Sequence, residues 1–405
     1  MIQKKIFKRN NIQDIHLDKK ILKKLSKDFE KIFKEIKHDS ESEKNTLNVL
    51  SNKFKFNFNF KDLKKFKKFK SIAIIGMGGS ILGIEAISGF LEKKLNKKIY
   101  FFDNINFNKN LNFIKKEKLI KTLFLVISKS GNTIETLSNF LSLNIIKKNS
   151  KNIIIISEKK NNYLYLISKK FNLFFIEHKN NIGGRYSVLS EVGIVPAYLM
   201  GLNIIKLRKN IKKCISVKEK IFLKSSTIKF ANLMLKKKYS NLIFLNYVPE
   251  LEKFLYWCQQ LIAESLGKKE KGFLPVVSSA PKDHHSLLQI YLDGPKNNIF
   301  NIFSIHENVK QKIKKNNIMK KIKFLNNKTL YDVKTAQKKA LIKSFDKNNI
   351  PYREFQIKTL NEETLGELFA YFIFETVIIA KLMNINPYDQ PAVEQVKAFT
   401  KKMLK

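Results

Sequence analysis

The sequence predicts an α/β protein built on two doubly wound parallel sheets, with a helical segment at the N-terminus and a helical arm at the C-terminus. Three observations carry that prediction. Short runs of Ile, Leu, Val and Phe, each the length of a buried strand, alternate with stretches of helical spacing along most of the 405 residues. Two of these runs end in glycine-rich or small polar turns that lead straight into a helix. The alternation resumes after a lysine-rich helical stretch near residue 205, although no close internal repeat is visible. The expected divisions are an N-terminal helical segment over 1–45, α/β domains over 46–205 and 206–383, and an arm over 384–405.

In order along the chain, Ile15, Leu17, Ile21, Leu22, Leu25, Phe29, Ile32 and Phe33 recur at helical spacing among lysines, an amphipathic preface. Residues 54–60 alternate apolar and polar, and the lysine- and phenylalanine-rich run that follows reads as a solvated helix or connector. Ser71–Ile75 is a short buried strand ending in Gly76-Met77-Gly78-Gly79-Ser80, with Ile81, Leu82, Ile84 and Ile87 continuing as a helix. Glycine at 76, 78 and 79 implies close backbone approach, either to a ligand or between helix and strand. Further strands are expected near 99–102, Thr122–Ile127, Ile153–Ser157 and 173–177.

The most informative turn is Ser128-Lys129-Ser130-Gly131-Asn132-Thr133, between the strand Thr122–Ile127 and a helix carrying Ile134, Leu137 and Leu141. Free N–H groups at a helix N-terminus converge there with the hydroxyls of Ser128, Ser130 and Thr133, the makings of a phosphate cradle; an ordinary capped turn has the same local pattern. The spacing is not that of a Walker loop, so a small sugar phosphate suits it better than a nucleotide. Arg185, in Gly183-Gly184-Arg185-Tyr186-Ser187, is an arginine in a lysine-dominated chain, which suggests a need for the planar guanidinium fork.

In the second half, 210–238 reads as an amphipathic helical linker, strands are expected at 241–248, 273–277, 299–305 and 353–359, and 364–383 is an apolar helix. Because its apolar window is too short to span a bilayer and carries Glu375 and Lys381, a buried helix is expected. Gln260 and Glu264 share one helix face four residues apart, beside an apolar face, where a carboxylate could serve as a base or simply sit at the surface. Of the adjacent His284 and His285, one can point at a given site, as an acid/base rather than a metal ligand. Pro391 stands at a plausible first helical position, with Lys397 near that last helix's middle.

A formal charge of +44 raises the possibility of a nucleic-acid or anionic-membrane partner. The lysines, however, are spread evenly and accompany abundant Asn, Ile and Phe, as A/T-rich codon usage would produce without any partner. Neither specific nucleic-acid binding nor a membrane is expected. Cys214 and Cys258 make no disulfide framework or metal spacing, and the basic N-terminus lacks a continuous apolar core, so a cytoplasmic protein is expected.

Taken together, G-M-G-G-S-x-L-G, S-K-S-G-N-T-x-E-T, G-G-R-Y-S, Q-x-x-x-E-S-x-G-K and D-Q-P-A-V-E-x-x-K, in this order and with His285 between the last two, resemble the glucose-6-phosphate isomerase family in its shorter bacterial form. The resemblance covers about residues 70–405. It implies two sugar-isomerase (SIS) type domains and aldose–ketose isomerisation of glucose 6-phosphate to fructose 6-phosphate through a cis-enediol, in glycolysis and gluconeogenesis. Ser128, Lys129, Ser130 and Thr133 match the phosphate loop, with Lys129 contributing its backbone N–H, while Gly79 and Ser80 match the neighbouring turn. Gly184 and Arg185 match the arginine turn, Gln260 a substrate contact, Glu264 the base that moves a proton between C1 and C2, and Gln390 a phosphate-side contact. His285 and Lys397 match the ring-opening residues, the histidine reaching the site from the partner subunit of a homodimer. No metal or other cofactor is implied. Ser130 stands where the family often has Thr, a change that keeps the hydroxyl, and Q-V-K follows Glu394 where longer members have L-G-K. The S-x-S-G-N-T pattern also occurs in dual phosphoglucose/phosphomannose isomerases, which leaves activity on mannose 6-phosphate open. A non-catalytic sugar-phosphate sensor would need the cradle but not Glu264, His285 and Lys397 together.

Overall fold

The computed structural model describes residues 5–314 and 320–404. The first sheet is formed by β2 (Ser71–Ile75), β3 (Lys98–Phe102), β4 (Thr122–Ile127), β5 (Ile153–Ser157) and β6 (Phe174–Glu177), all parallel, in the order β3-β2-β4-β5-β6. The second contains β1 (Ile6–Asn10), β7 (Asn241–Asn246), β8 (Leu274–Ser279), β9 (Asn298–Ile305) and β10 (Tyr352–Ile357), in the order β1-β10-β9-β7-β8. Helices cover both faces of such sheets, which is why β2, β4 and β5 are apolar at nearly every position and wholly buried. These are the doubly wound sheets the sequence anticipates.

The N-terminal stretch departs from a purely helical preface. It opens with β1, which pairs antiparallel with β10, Ile6 facing Ile357 and Asn10 facing Arg353. Ile6 is buried while Phe7 is half exposed, the alternation of an edge strand. The expected helix then runs Lys19–Glu41, its N-terminus capped by Asp18, whose Oδ1 accepts from the Ile21 N–H at 2.9 Å. The expected linker over 210–238 is instead an integral helix, Val217–Leu235, with Leu223, Ile228, Phe230 and Leu233 buried.

The two halves share one core. The helix Glu252–Leu266 lies against the helix Leu82–Phe90 of the first half and against Glu362–Leu382 of the second. Trp257 and Phe254 pack edge-to-face or tilted on Phe369 at centroid distances of 4.8 and 5.4 Å. Glu362–Leu382 is buried almost throughout. Inside it Glu375 takes both arms of the buried Arg353 guanidinium and a hydrogen bond from the Tyr371 hydroxyl at 2.7 Å. Arg353 Nε donates to Asn301 Oδ1 at 2.9 Å, so a charge inside the second sheet is fully paired. Among the described residues, no helix is long and apolar enough to cross a membrane.

Candidate active site

β2 and β4 are hydrogen-bonded neighbours, so the turns that follow them emerge side by side at the C-terminal edge of the first sheet. The turn after β4 is braced from within. Ser128 Oγ lies 2.8 Å from Thr133 Oγ1 and accepts from the Gly131 N–H at 3.2 Å, while Ser130 Oγ accepts from the Asn132 N–H at 3.3 Å. Gly131 has φ +66°, and a Cβ there would fall 1.8 Å from Asn162 Oδ1; only glycine fits. Because the Thr133 hydroxyl faces Ser128, it does not cap the helix Ile134–Ser142 that follows it. The N–H groups of that helix's first turn therefore have no side-chain cap, which suits an incoming anion. Ser130 is exposed and Ser128 buried, so of the predicted hydroxyls Ser128 shapes the loop and Ser130 faces outward.

Lys129 directs its ammonium to the Asn180 carbonyl at 2.8 Å. Burial lowers its proton affinity below the usual lysine value; Glu158 opposes this, and Lys160 and Arg185 add to it.

The turn after β2 meets the arginine turn. Gly78–Ser80 forms a 3-10 turn with Ser80 buried, and the backbone of Gly184 and Arg185 runs directly against Gly79. Arg185 itself is buried and its guanidinium is saturated. Nε donates to Ser265 Oγ at 2.9 Å, Nη1 to Glu264 Oε2 at 3.0 Å and Gln390 Oε1 at 2.7 Å, and Nη2 to the carbonyls of Pro387 at 2.5 Å and Asp389 at 3.0 Å. Every N–H of the fork has an acceptor, a pattern a lysine could not reproduce.

Glu264 is thereby held from two sides: Arg185 on Oε2, and the Gln260 amide on Oε1 at 2.9 Å, the i, i+4 neighbour anticipated from the sequence. The carboxylate remains partly open, its side chain 28% exposed. Gln260 Oε1 is buried without a hydrogen-bond partner, an acceptor facing no donor of this chain. The segment carrying Gln390 is fastened by Lys268, which donates to Asn386 O at 2.5 Å and Asp389 Oδ1 at 2.7 Å. Gln390 meets the guanidinium, not the β4 turn; its hydrogen bond joins it to the Glu264 group.

Two predicted residues stand apart from this group. His285 closes the 3-10 turn Lys282–His285 beyond the C-terminal end of β8 and is exposed. Asp283 fixes the turn by accepting from the Ser279 N–H at 2.7 Å and Ser278 Oγ at 3.0 Å. His284 is the inward histidine of the pair, its Nε2 2.8 Å from the Tyr247 hydroxyl. Lys397 lies on the helix Glu394–Met403, where it pairs with Glu394 at 2.7 Å; residues 391–404 are all exposed. Ser265, Tyr186 and the carbonyls at 387 and 389 complete the arginine's surroundings and were not singled out from sequence. The first two lie inside quoted motifs, while backbone acceptors leave no residue-type signal.

Against known proteins, residues 34–405 match the phosphoglucose isomerase family profile. A probable glucose-6-phosphate isomerase of Methanococcus maripaludis is 34% identical over 348 residues, spanning 82% of this chain and 78% of the relative. A glucose-6-phosphate isomerase of Methanocaldococcus jannaschii is 31% identical over 359 residues, covering 86% and 87%. Among solved structures, a glucose-6-phosphate isomerase from Chlamydia trachomatis superposes with a TM-score of 0.78 at 17% identity, covering 99% of this chain and 88% of that one. The site's motifs, their convergence on Glu264 and Arg185, and this similarity along nearly the whole length agree: the chain belongs to the phosphoglucose isomerase family.

Proposed function

We infer that the protein interconverts D-glucose 6-phosphate and D-fructose 6-phosphate, a step shared by glycolysis and gluconeogenesis. The observation that carries the chemistry is Glu264, a partly open carboxylate held between a saturated arginine and a glutamine amide. Aldose–ketose isomerisation needs one base to lift the proton from C2 of the open-chain aldose and return it to C1, through a cis-enediol whose oxygens become electron-rich. Glu264 is that base and Arg185 offsets the developing negative charge. Gln260 Oε1 accepts from a substrate hydroxyl. The phosphate sits against Ser130, Thr133, the Lys129 backbone and the uncapped first turn of the helix Ile134–Ser142, with Gly79 and Ser80 shaping the floor.

Ring opening moves a proton from the C1 hydroxyl to the ring oxygen and falls to His285 and Lys397. Their exposure supports a homodimer in which His285 completes the partner's site. The arm bearing Lys397 also displays Val396, Phe399 and Met403 to solvent, an apolar stripe suited to burial in the assembled dimer. The enzyme acts in the cytoplasm.

A coupled assay tests this reading: purified protein, fructose 6-phosphate and no added metal, with glucose 6-phosphate and mannose 6-phosphate formation followed in parallel. Glucose 6-phosphate alone is the expected product. Formation of both would move the protein to the dual-specificity branch, and tight binding without turnover would make it a sensor.

A further inference from the structure

His285 projects from a short surface turn, yet acid–base work needs a group held within about 2.6–3.2 Å of the proton it moves. The turn must therefore be fixed by its other residues. β7 and β8 are parallel neighbours with Asn246 opposite Ser279, so Tyr247 and Ala280, one residue further on, leave the sheet side by side. The turn Lys282–His285 is tied to both strand ends.

The tie to β8 is Asp283, through the Ser279 N–H and Ser278 Oγ. The tie to β7 is His284, whose Nε2 lies 2.8 Å from the Tyr247 hydroxyl, the two rings meeting edge-to-face at a centroid distance of 5.7 Å. Tyr247 is 1% exposed, packs in a cluster with Ile243, Phe300 and Ile302, and donates its N–H to the Phe303 carbonyl at 3.0 Å. A phenol so enclosed is a fixed post. Burial holds the proton affinity of His284 below the usual imidazole value; His285 adds to this and Asp283 opposes it. The ring therefore stays neutral and keeps its bond to the phenol. Two consecutive side chains bound to two different strands fix the height and rotation of the turn, and the next residue, His285, is left facing outward.

We propose that His284 and Tyr247 are positioning residues for ring opening: the bond between Nε2 and the hydroxyl fixes the turn from which His285 moves its proton, and neither residue reacts with the sugar. The assignment rests on the ring-opening role given to His285 above.

Opening and reclosing the ring interconverts the α and β anomers of glucose 6-phosphate while the proton stays on C2. Ring opening can therefore be followed in full-length Glu264→Gln protein, which lacks the isomerisation base. Magnetisation transfer between the two C1 signals of 13C-labelled glucose 6-phosphate reads the rate above uncatalysed exchange. Adding Tyr247→Phe should slow catalysed interconversion by on the order of 10-fold or more, and His284→Leu should do the same. His284→Gln, whose amide reaches as far as Nε2, should restore it. Glucose 6-phosphate affinity should change little in all three, because the phosphate cradle lies on the other sheet.

An undiminished rate in Tyr247→Phe or His284→Leu would overturn the assignment. So would failure of His284→Gln to recover the rate, which would make the imidazole itself a participant. A loss of affinity confined to Tyr247→Phe would mark a collapsed site and leave the decision to the two variants of the surface residue His284; a loss in those as well would overturn the assignment. The functional reading fails separately. A wild type that interconverts the anomers but forms no fructose 6-phosphate would overturn isomerisation and leave this comparison decisive, whereas a Glu264→Gln protein that does not speed interconversion would overturn the positioning role even if the wild type isomerises.

Discussion

Gly79 and Gly184 are in backbone contact: a Cβ added at Gly79 would lie 2.3 Å from the Gly184 carbonyl carbon and 2.5 Å from the Arg185 nitrogen. The turn after β2 thus sets the position of the arginine turn. Gly79→Ala must push Arg185 away from Glu264, and a displacement of about 1 Å costs on the order of 10²-fold in turnover. Gly89→Ala is the control, since its Cβ would meet the Lys253 side chain at 3.5 Å and the Glu250 carbonyl at 3.9 Å, both ordinary contacts, and should leave turnover near normal. Steady-state rates of the two variants compare them directly; equal rates would mean the close approach has no bearing on the chemistry.

Glu264→Gln keeps an oxygen for Arg185 and the bulk of the side chain while removing the base. Turnover should fall by roughly 10²–10⁴-fold with little change in KM. Near-normal turnover would remove Glu264 from the proton transfer.

The exposed position of His285 makes a subunit-mixing experiment decisive. Glu264→Gln and His285→Ala should each be nearly inactive alone. If His285 serves the partner's site, a mixed dimer contains one site with both Glu264 and His285 intact, and random reassembly of equal amounts should recover roughly a quarter of wild-type activity. No recovery, from a preparation shown to have exchanged subunits, would place His285 in the site of its own chain.

A buried histidine gives the stability a pH signature. His178 donates through Nδ1 to the Lys179 carbonyl at 2.8 Å, and burial lowers its proton affinity from 6.5 to about 4. As pH falls below about 6.5 the unfolded chain takes up the proton first, so stability drains away between pH 6.5 and about 4 and levels off below, by up to ~3 kcal/mol. Glu191, whose carboxyl is pushed up by its own burial, tilts the profile the other way. The contribution of His178 is therefore the difference between denaturation profiles of the wild type and His178→Gln across this window. A difference that does not change with pH would show that the histidine is not held neutral by the fold.

The parts of the fold visible in the sequence are those whose physics is written in side chains. β2, β4 and β5 are buried on both faces and so appear as uninterrupted apolar runs. β1 is five residues of alternating character in a lysine-rich region, and its pairing depends on β10 at the other end of the sequence, which no local pattern reveals. Within the site, Gln260 and Glu264 were legible because helix periodicity places them together, and Arg185 because it breaks a lysine habit. Its carbonyl partners at 387 and 389 were not, since any residue supplies a carbonyl. His284 and His285 are indistinguishable by type; only the Tyr247 hydroxyl separates the inward ring from the outward one.

The pairing of Ile6 with Ile357 also orders events during synthesis. Emerging from the ribosome, the strands of the first sheet all lie within residues 71–177 and can associate as soon as that stretch is free. The edge of the second sheet must wait: the strand made first stays unpaired until β10, made last of all strands, is released. Pulse-labelled hydrogen exchange during refolding should find the β1 amides among the last to be protected, the kinetic cost of closing a sheet with the two extremes of the chain.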